Sequence, residues 1–137
     1  MATWILKTEP GDYCWDDLKA DKTTVWDGVT SNVALSKIRN VAKGDEAWIY
    51  HTGKERTLVG LAKVTSGPYP DPKADNEKLL VFDIKIGRAV KTPVTLADIK
   101  ADDRFADFAL VRQGRLSVVP VPDDLDAILR EWTGLAR

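Results

Sequence analysis

An indole followed at once by a turn and a helix start is the arrangement in this chain with the most direct chemical use: Val25-Trp26-Asp27-Gly28-Val29-Thr30-Ser31-Asn32. Asp-Gly is a turn pair, and Ser31 or Asn32 suits an N-cap, so hydroxyl, amide and helix N–H groups would face the space beside the Trp26 ring. A flat ligand can stack there and be read along its edge. The competing use is structural, with Trp26 in the core, Asp27-Gly28 as a plain turn and Ser31-Asn32 as a cap.

Other residues offer weaker chemistry. His51, the single histidine, stands beside Tyr50 at the end of an expected strand, either half-buried with one satisfied nitrogen or offering a hydrogen bond to a ligand edge. Lys7-Thr8 also ends a strand, as a solvated lysine and a turn-making threonine or as a contact pair. Arg112, Gln113 and Arg115 cluster around Gly114, as a polar hairpin or as a fork of donors for a phosphate or carboxylate. Cys14 is the only cysteine; it is read as a buried inert thiol on an apolar helix face, and no intrachain disulfide is possible. No C-x-x-C, H-E-x-x-H, G-x-S-x-G or phosphate-cradling glycine loop occurs, so neither a metal nor a cofactor is expected.

These residues need a scaffold, and 137 residues with 44% apolar and 30% charged content suit one domain with its own core. Lys plus Arg number 20 against 21 Asp plus Glu, which lacks the strongly basic balance of a protein that holds duplex DNA mainly by its phosphates. If nucleic acid is the partner, a pocket must do much of the recognition, with a shallow salt dependence. The chain enters Thr3 to Lys7 with no leader-like region, no apolar run approaches a membrane span, and the single cysteine fits a reducing compartment. A cytoplasmic monomer of compact, bacterial style is expected.

Thr3 to Lys7 reads as a strand stopped by Pro10-Gly11, and Asp12 as the cap of a helix from Tyr13 to about Ala20. Thr23 to Trp26 is extended, and Ala34, Ile38 and Val41 mark a second helix with Lys37 and Arg39 outward. Glu46 to Thr52 and Leu58 to Thr65 form a hairpin around Gly53-Lys54-Glu55-Arg56. Ser66 to Pro72 reads as a proline-stiffened loop, and Leu79 to Val90 as the longest strand. Thr95-Leu96-Ala97-Asp98 opens a short helix with a capping box. A strand over Leu116 to Val119 follows the polar interruption, and Asp123 to Trp132 is amphipathic through Leu125, Ile128, Leu129 and Trp132. Five or six mixed strands with four short helices predict one α+β domain over 1–137, its sheet curled toward a small barrel.

A series of blocks resembles the EVE domain, a family of the PUA-like superfamily related to the YTH domain. It comprises Trp4-Ile5-Leu6-Lys7-Thr8-Glu9-Pro10, Trp26-Asp27-Gly28-Val29, Gly44-Asp45 with Ile49-Tyr50-His51-Thr52, Val59-Gly60-Leu61-Ala62, Tyr69-Pro70-Asp71-Pro72 and Ala109 to Val118. The resemblance implies a PUA-like pseudo-barrel, no catalysis, and a pocket for a modified base of RNA or DNA, flipped or single-stranded. Carried over by position, Trp26 would be a cage wall, Lys7 and Thr8 would contact the base edge, and Asp27-Gly28-Val29 would shape the floor. His51 and Tyr50 would sit near the rim. After Val29 the family commonly carries Arg-Asn, whereas this chain has Thr30-Ser31, with Asn32 one place on as the stand-in for a base-reading amide.

Two other classes of function remain open on the sequence. One is an enzyme acting on a nucleotide-like small molecule through His51 and Asp27. The other is a protein-interaction module, which applies if the pocket is filled by the domain's own side chains.

Overall fold

A computed structural model describes residues 1–135. In chain order it has β1 (Thr3–Thr8), α1 (Trp15–Asp21), β2 (Thr23–Trp26), α2 (Asn32–Ile38), β3 (Glu46–His51), β4 (Thr57–Val64) and β5 (Tyr69–Pro70). Then come β6 (Leu80–Thr95), α3 (Leu96–Lys100), a 3₁₀ turn (Asp103–Phe105), α4 (Ala109–Arg112), β7 (Val118–Val121) and α5 (Asp123–Thr133).

The sheet is mixed, ordered β2-β6-β4-β3-β1-β7, with β5 added to β6 for seven strands in all. Among the described residues only β1 and β3 run parallel, in the register Thr3↔Glu46 to Thr8↔His51; the other pairs are antiparallel. The fold class expected from the sequence holds, but among the described residues no ladder joins β2 to β7, so the sheet is open. Helix α2 packs on both β6 and β7 and so lies across the gap. The core beneath it includes Ile5, Leu6, Trp48, Ile49, Phe82, Ile84 and Val118, all nearly inaccessible.

Local differences from the sequence reading have physical causes. Tyr69-Pro70 forms a two-residue strand because it needs only the backbone of Leu80 and Val81 opposite, and an edge position tolerates a proline. Strand β6 runs on to Thr95, where Thr95 and Asp98 cap α3 reciprocally. Helix α1 starts at Trp15, not Tyr13, because the Asp17 carboxylate accepts from the Cys14 N–H at 2.9 Å, making Cys14 the half-buried N-cap in place of Asp12. Cys14 is therefore not on the helix's apolar face. Leu116 is not in a strand: its N–H donates to the Gln113 carbonyl at 2.9 Å, closing a turn between α4 and β7. The polar interruption is thus a helix end and turn, not a hairpin.

Candidate functional site

The open side of the sheet is where the chemistry gathers. β1 ends at Thr8, whose hydroxyl donates to the Tyr13 carbonyl at 2.7 Å, while the Asp12 and Tyr13 N–H groups donate to the Glu9 carbonyl at 2.9 and 3.0 Å. These bonds fold the loop after β1 back toward β2. The Tyr13 hydroxyl then donates to Asp21 Oδ2 at 2.9 Å, which sets the ring's direction. Its ring meets Trp26 edge to face, with centroids 6.4 Å apart and planes at 81°.

Trp26 is the last residue of β2, paired with Phe82, and is buried. Gly28 follows with φ +78°, a conformation that L side chains rarely adopt, and turns the chain away from the sheet. Together these pieces enclose a cavity of about 480 Å³ lined by Lys7, Thr8, Asp12, Tyr13, Thr24, Val25, Trp26, Asp27, Gly28, Val29 and Ser117. That size and mixture, aromatic walls with a few converging polar groups, suits a small flat ligand.

Lys7 crosses the rim. Its Nζ donates to the Gly114 carbonyl at 2.9 Å and stands 5.9 Å from the centroid of the Tyr50 ring. Burial holds the Lys7 ammonium below the usual lysine range and pushes the Tyr50 phenol above the usual tyrosine range. The Tyr13 phenol is also raised, by desolvation first and by Asp21 in addition. Asp12 and Asp27 are exposed carboxylates on the same cavity, so its lining carries both signs of charge.

The structure brings together six residues expected from the sequence: Lys7, Thr8, Trp26, Asp27, Gly28 and Val29. Ser31, Gln113 and Arg115 line a separate depression of about 340 Å³ with Val33, Gly114 and Leu116. Asn32, the first residue of α2, is exposed and lines neither space. Tyr50 is buried under Lys7, and Arg112 Nε donates to the Ala106 carbonyl at 2.7 Å away from the cavity.

His51 is committed inside the fold. Its Nε2 accepts from the Trp15 N–H at 3.1 Å, which leaves Nδ1 to carry the proton toward Glu55 Oε1 at 2.9 Å. Neither nitrogen faces the cavity, so the expected placement at the rim does not match the geometry. Among the described residues no group of three or more His, Cys, Asp or Glu side chains is placed to hold a metal ion, and no helix is long and apolar enough to cross a membrane. Sequence reasoning missed Tyr13, Asp12, Thr24, Val25 and Ser117 as lining residues. Their common feature is position beside the open edge of the sheet, which only the strand order reveals.

A wider groove of about 730 Å³ lies against Thr92, Pro93, Val94, Asp98, Asp102 and Trp132. Two of its three carboxylates already have structural work: Asp98 caps α3, and Asp102 binds Arg104 through two oxygens, which holds the Asp102 carboxyl below its usual range. The cavity between Tyr13 and Trp26 is the better built of the two for recognition.

An open mixed sheet flanked by short helices, with an aromatic and polar cavity at its unclosed edge, defines a PUA-like domain. A model of the EVE domain matches residues 2–131, and the chain belongs to that family. It is similar to human thymocyte nuclear protein 1, at 29% identity over 92% of this chain and 72% of that protein. A Rhodopseudomonas palustris protein solved by NMR superposes with TM-score 0.93 at 36% identity, covering 100% of this chain and 96% of that one. The structure of human thymocyte nuclear protein 1 in complex with DNA containing 5-methylcytosine superposes with TM-score 0.86 at 27% identity, covering 96% of each chain.

Proposed function

We propose that this domain is a non-enzymatic reader that accepts one modified base of nucleic acid into the cavity between Tyr13 and Trp26. The observation that carries the reading is the right-angled aromatic corner with Lys7, Thr8, Thr24 and Ser117 along the same lining. A base stacked on one of two perpendicular rings turns its edge, and any methyl group on it, toward the other ring. The hydroxyls and the ammonium then supply donors and acceptors for the polar edge, and a base without the matching groups leaves them unpaired. The 5-methylcytosine DNA complex of human thymocyte nuclear protein 1 makes a methylated cytosine in DNA the first ligand to try.

A base inside the cavity is out of any duplex, so a single-stranded or flipped nucleotide is the substrate form. The test is a two-dimensional NMR titration of labelled protein with modified and unmodified nucleosides and short strands, since five tryptophans blur a fluorescence readout. Shifts centred on Trp26, Tyr13, Thr8 and Ser117 for a modified base and not for its parent are the expected result. Loss of one stacking wall in Trp26→Ala should weaken binding about 5- to 150-fold, the equivalent of about 1–3 kcal/mol. Because Trp26 is buried, Ser117→Ala, which removes only a rim hydroxyl, is read beside it. No shifts with any nucleoside, or full affinity in a folded Trp26→Ala, overturns the proposal.

A further inference from the structure

Apart from Met1 at the start of the chain, Val25 and Val33 are the only large hydrophobic side chains among the described residues that stand exposed, at 44% and 53%. Val25 lines the base-sized cavity and Val33 lines the smaller depression. Neither exposure is needed for folding: Ala34, Leu35 and Ile38 carry the buried face of α2, and Val33 sits outside it.

The two spaces are lined by neighbouring stretches of the chain. Val29 lines the first and Ser31 the second; Ser117 lines the first and Leu116 the second. Lys7, on the first, is bonded to Gly114, on the second. A strand that delivers one base to the cavity must carry its neighbouring phosphates along the rim, and charge chooses the side. Asp12 and Asp27 repel phosphates at the first space. At the second, which the Lys7 bond to Gly114 ties to the first, stands the exposed guanidinium of Arg115, for which no carboxylate partner is found among the described residues.

From this geometry we infer that the depression of Ser31, Val33, Gln113, Gly114, Arg115 and Leu116 is a subsite for the nucleotide adjoining the read base. Arg115 takes its phosphate and Val33 supports its sugar or base. Gln113 brings an amide to the same lining, the chemistry by which a neighbouring base can be preferred. The inference rests on the base-reading proposal and extends it from a single base to a short strand read with its context.

The experiment compares two probes, 5-methyl-2′-deoxycytidine and a single-stranded heptamer with that nucleotide at its centre, on the parent protein, Val33→Ser and Arg115→Gln. The parent should bind the heptamer about tenfold or more tighter than the nucleoside. Each variant should cut that ratio by about 3- to 10-fold, with amide spectra showing the fold retained. Arg115→Gln alone should also flatten the plot of log affinity against log salt by about 0.7, the loss of one phosphate contact on a single strand, while Val33→Ser leaves the slope in place.

If the nucleoside binds and neither variant changes the ratio, the subsite is overturned and the base cavity stands. If neither probe binds the parent, the base reading fails and this inference falls with it.

Discussion

The ammonium of Lys7 donates to the carbonyl oxygen of Gly114 at 2.9 Å, tying the end of β1 to the turn that precedes β7. One flexible side chain thereby holds together the two walls of the cavity's cationic rim. Lys7→Met keeps the aliphatic stem over Tyr50 and removes the donor. The loss in stability should be small, under about 1 kcal/mol, because the bond is partly open to water. The local effect should be larger: amides of Gln113 to Leu116 should exchange faster with solvent, while those of β1 stay protected. Unchanged exchange in the turn would show that the backbone bonds there hold it alone.

Gly28 is required by conformation and not by space. Its φ of +78° is left-handed, yet a Cβ built there meets nothing within 4 Å. Gly28→Ala should therefore fold, cost about 1 kcal/mol in urea denaturation, and weaken ligand binding by tilting Asp27 and Val29 in the cavity lining. A cost near zero would mean that the turn relaxes to another backbone shape.

Gly60 of β4 presents the opposite case, a position defined by crowding. A Cβ there would collide with Trp15 ring carbons, because the buried indole at the start of α1 lies directly on the strand. Gly60→Ala should cost about 1–3 kcal/mol through overpacking. The damage should also reach His51, whose Nε2 accepts from the Trp15 N–H, so a shift of the His51 ring resonances on NMR is the local check.

Much of the scaffold is legible in the chain because its determinants are local. Thr23 to Trp26 is β-branched or aromatic and bounded by turns, and it is strand β2 with those bounds. Thr95 and Asp98 sit at capping-box spacing and make both bonds. The site was less legible because its parts meet through topology. Trp26, Asp27 and Gly28 declare themselves as an aromatic before a turn. Tyr13 does not, since it looks like a helix residue until the Asp17 side chain is seen to start that helix at Trp15. The lone His51 suggested chemistry, but its partners are a backbone N–H from α1 and Glu55, a pairing that spacing alone does not disclose. Open closure of the sheet likewise depends on which strands end as edges, a property of pairing and not of alternation.

A buried ionic cluster holds α5 to the sheet. Asp126 Oδ1 accepts from the Trp48 indole N–H at 2.8 Å and its Oδ2 from Arg130 Nε at 2.7 Å, while Arg130 reaches Glu46 Oε1 at 2.9 Å. Asp126 and Arg130 are 2% and 4% exposed, so removing Asp126 leaves the desolvated guanidinium with only part of its compensating charge, from Glu46. Asp126→Ala should cost about 3–5 kcal/mol in chemical denaturation. Asp126→Asn should cost less, since an amide oxygen can still accept from Trp48. Equal losses in the two variants would assign the whole effect to the Arg130 charge.

The Tyr69 hydroxyl donates to Asp83 Oδ1 at 2.6 Å, pinning β5 to β6. That bond, with some burial and the Asp83 charge, pushes the Tyr69 phenol up to about 12 from its ordinary 10.0. The folded-state value is thus raised, so the neutral phenol binds its proton more tightly in the folded protein than in the unfolded chain. The contribution is fully present below about pH 10 and is lost as the pH climbs from about 10 toward about 12. Tyr69→Phe removes this dependence, and Tyr13 and Tyr50, common to both proteins, cancel in the comparison. The stability difference between parent and Tyr69→Phe, measured by urea unfolding at steps from about pH 8 upward, should be flat and then shrink beyond about pH 10. A difference that stays constant through that window would show that the Tyr69 proton is not held by Asp83 in solution.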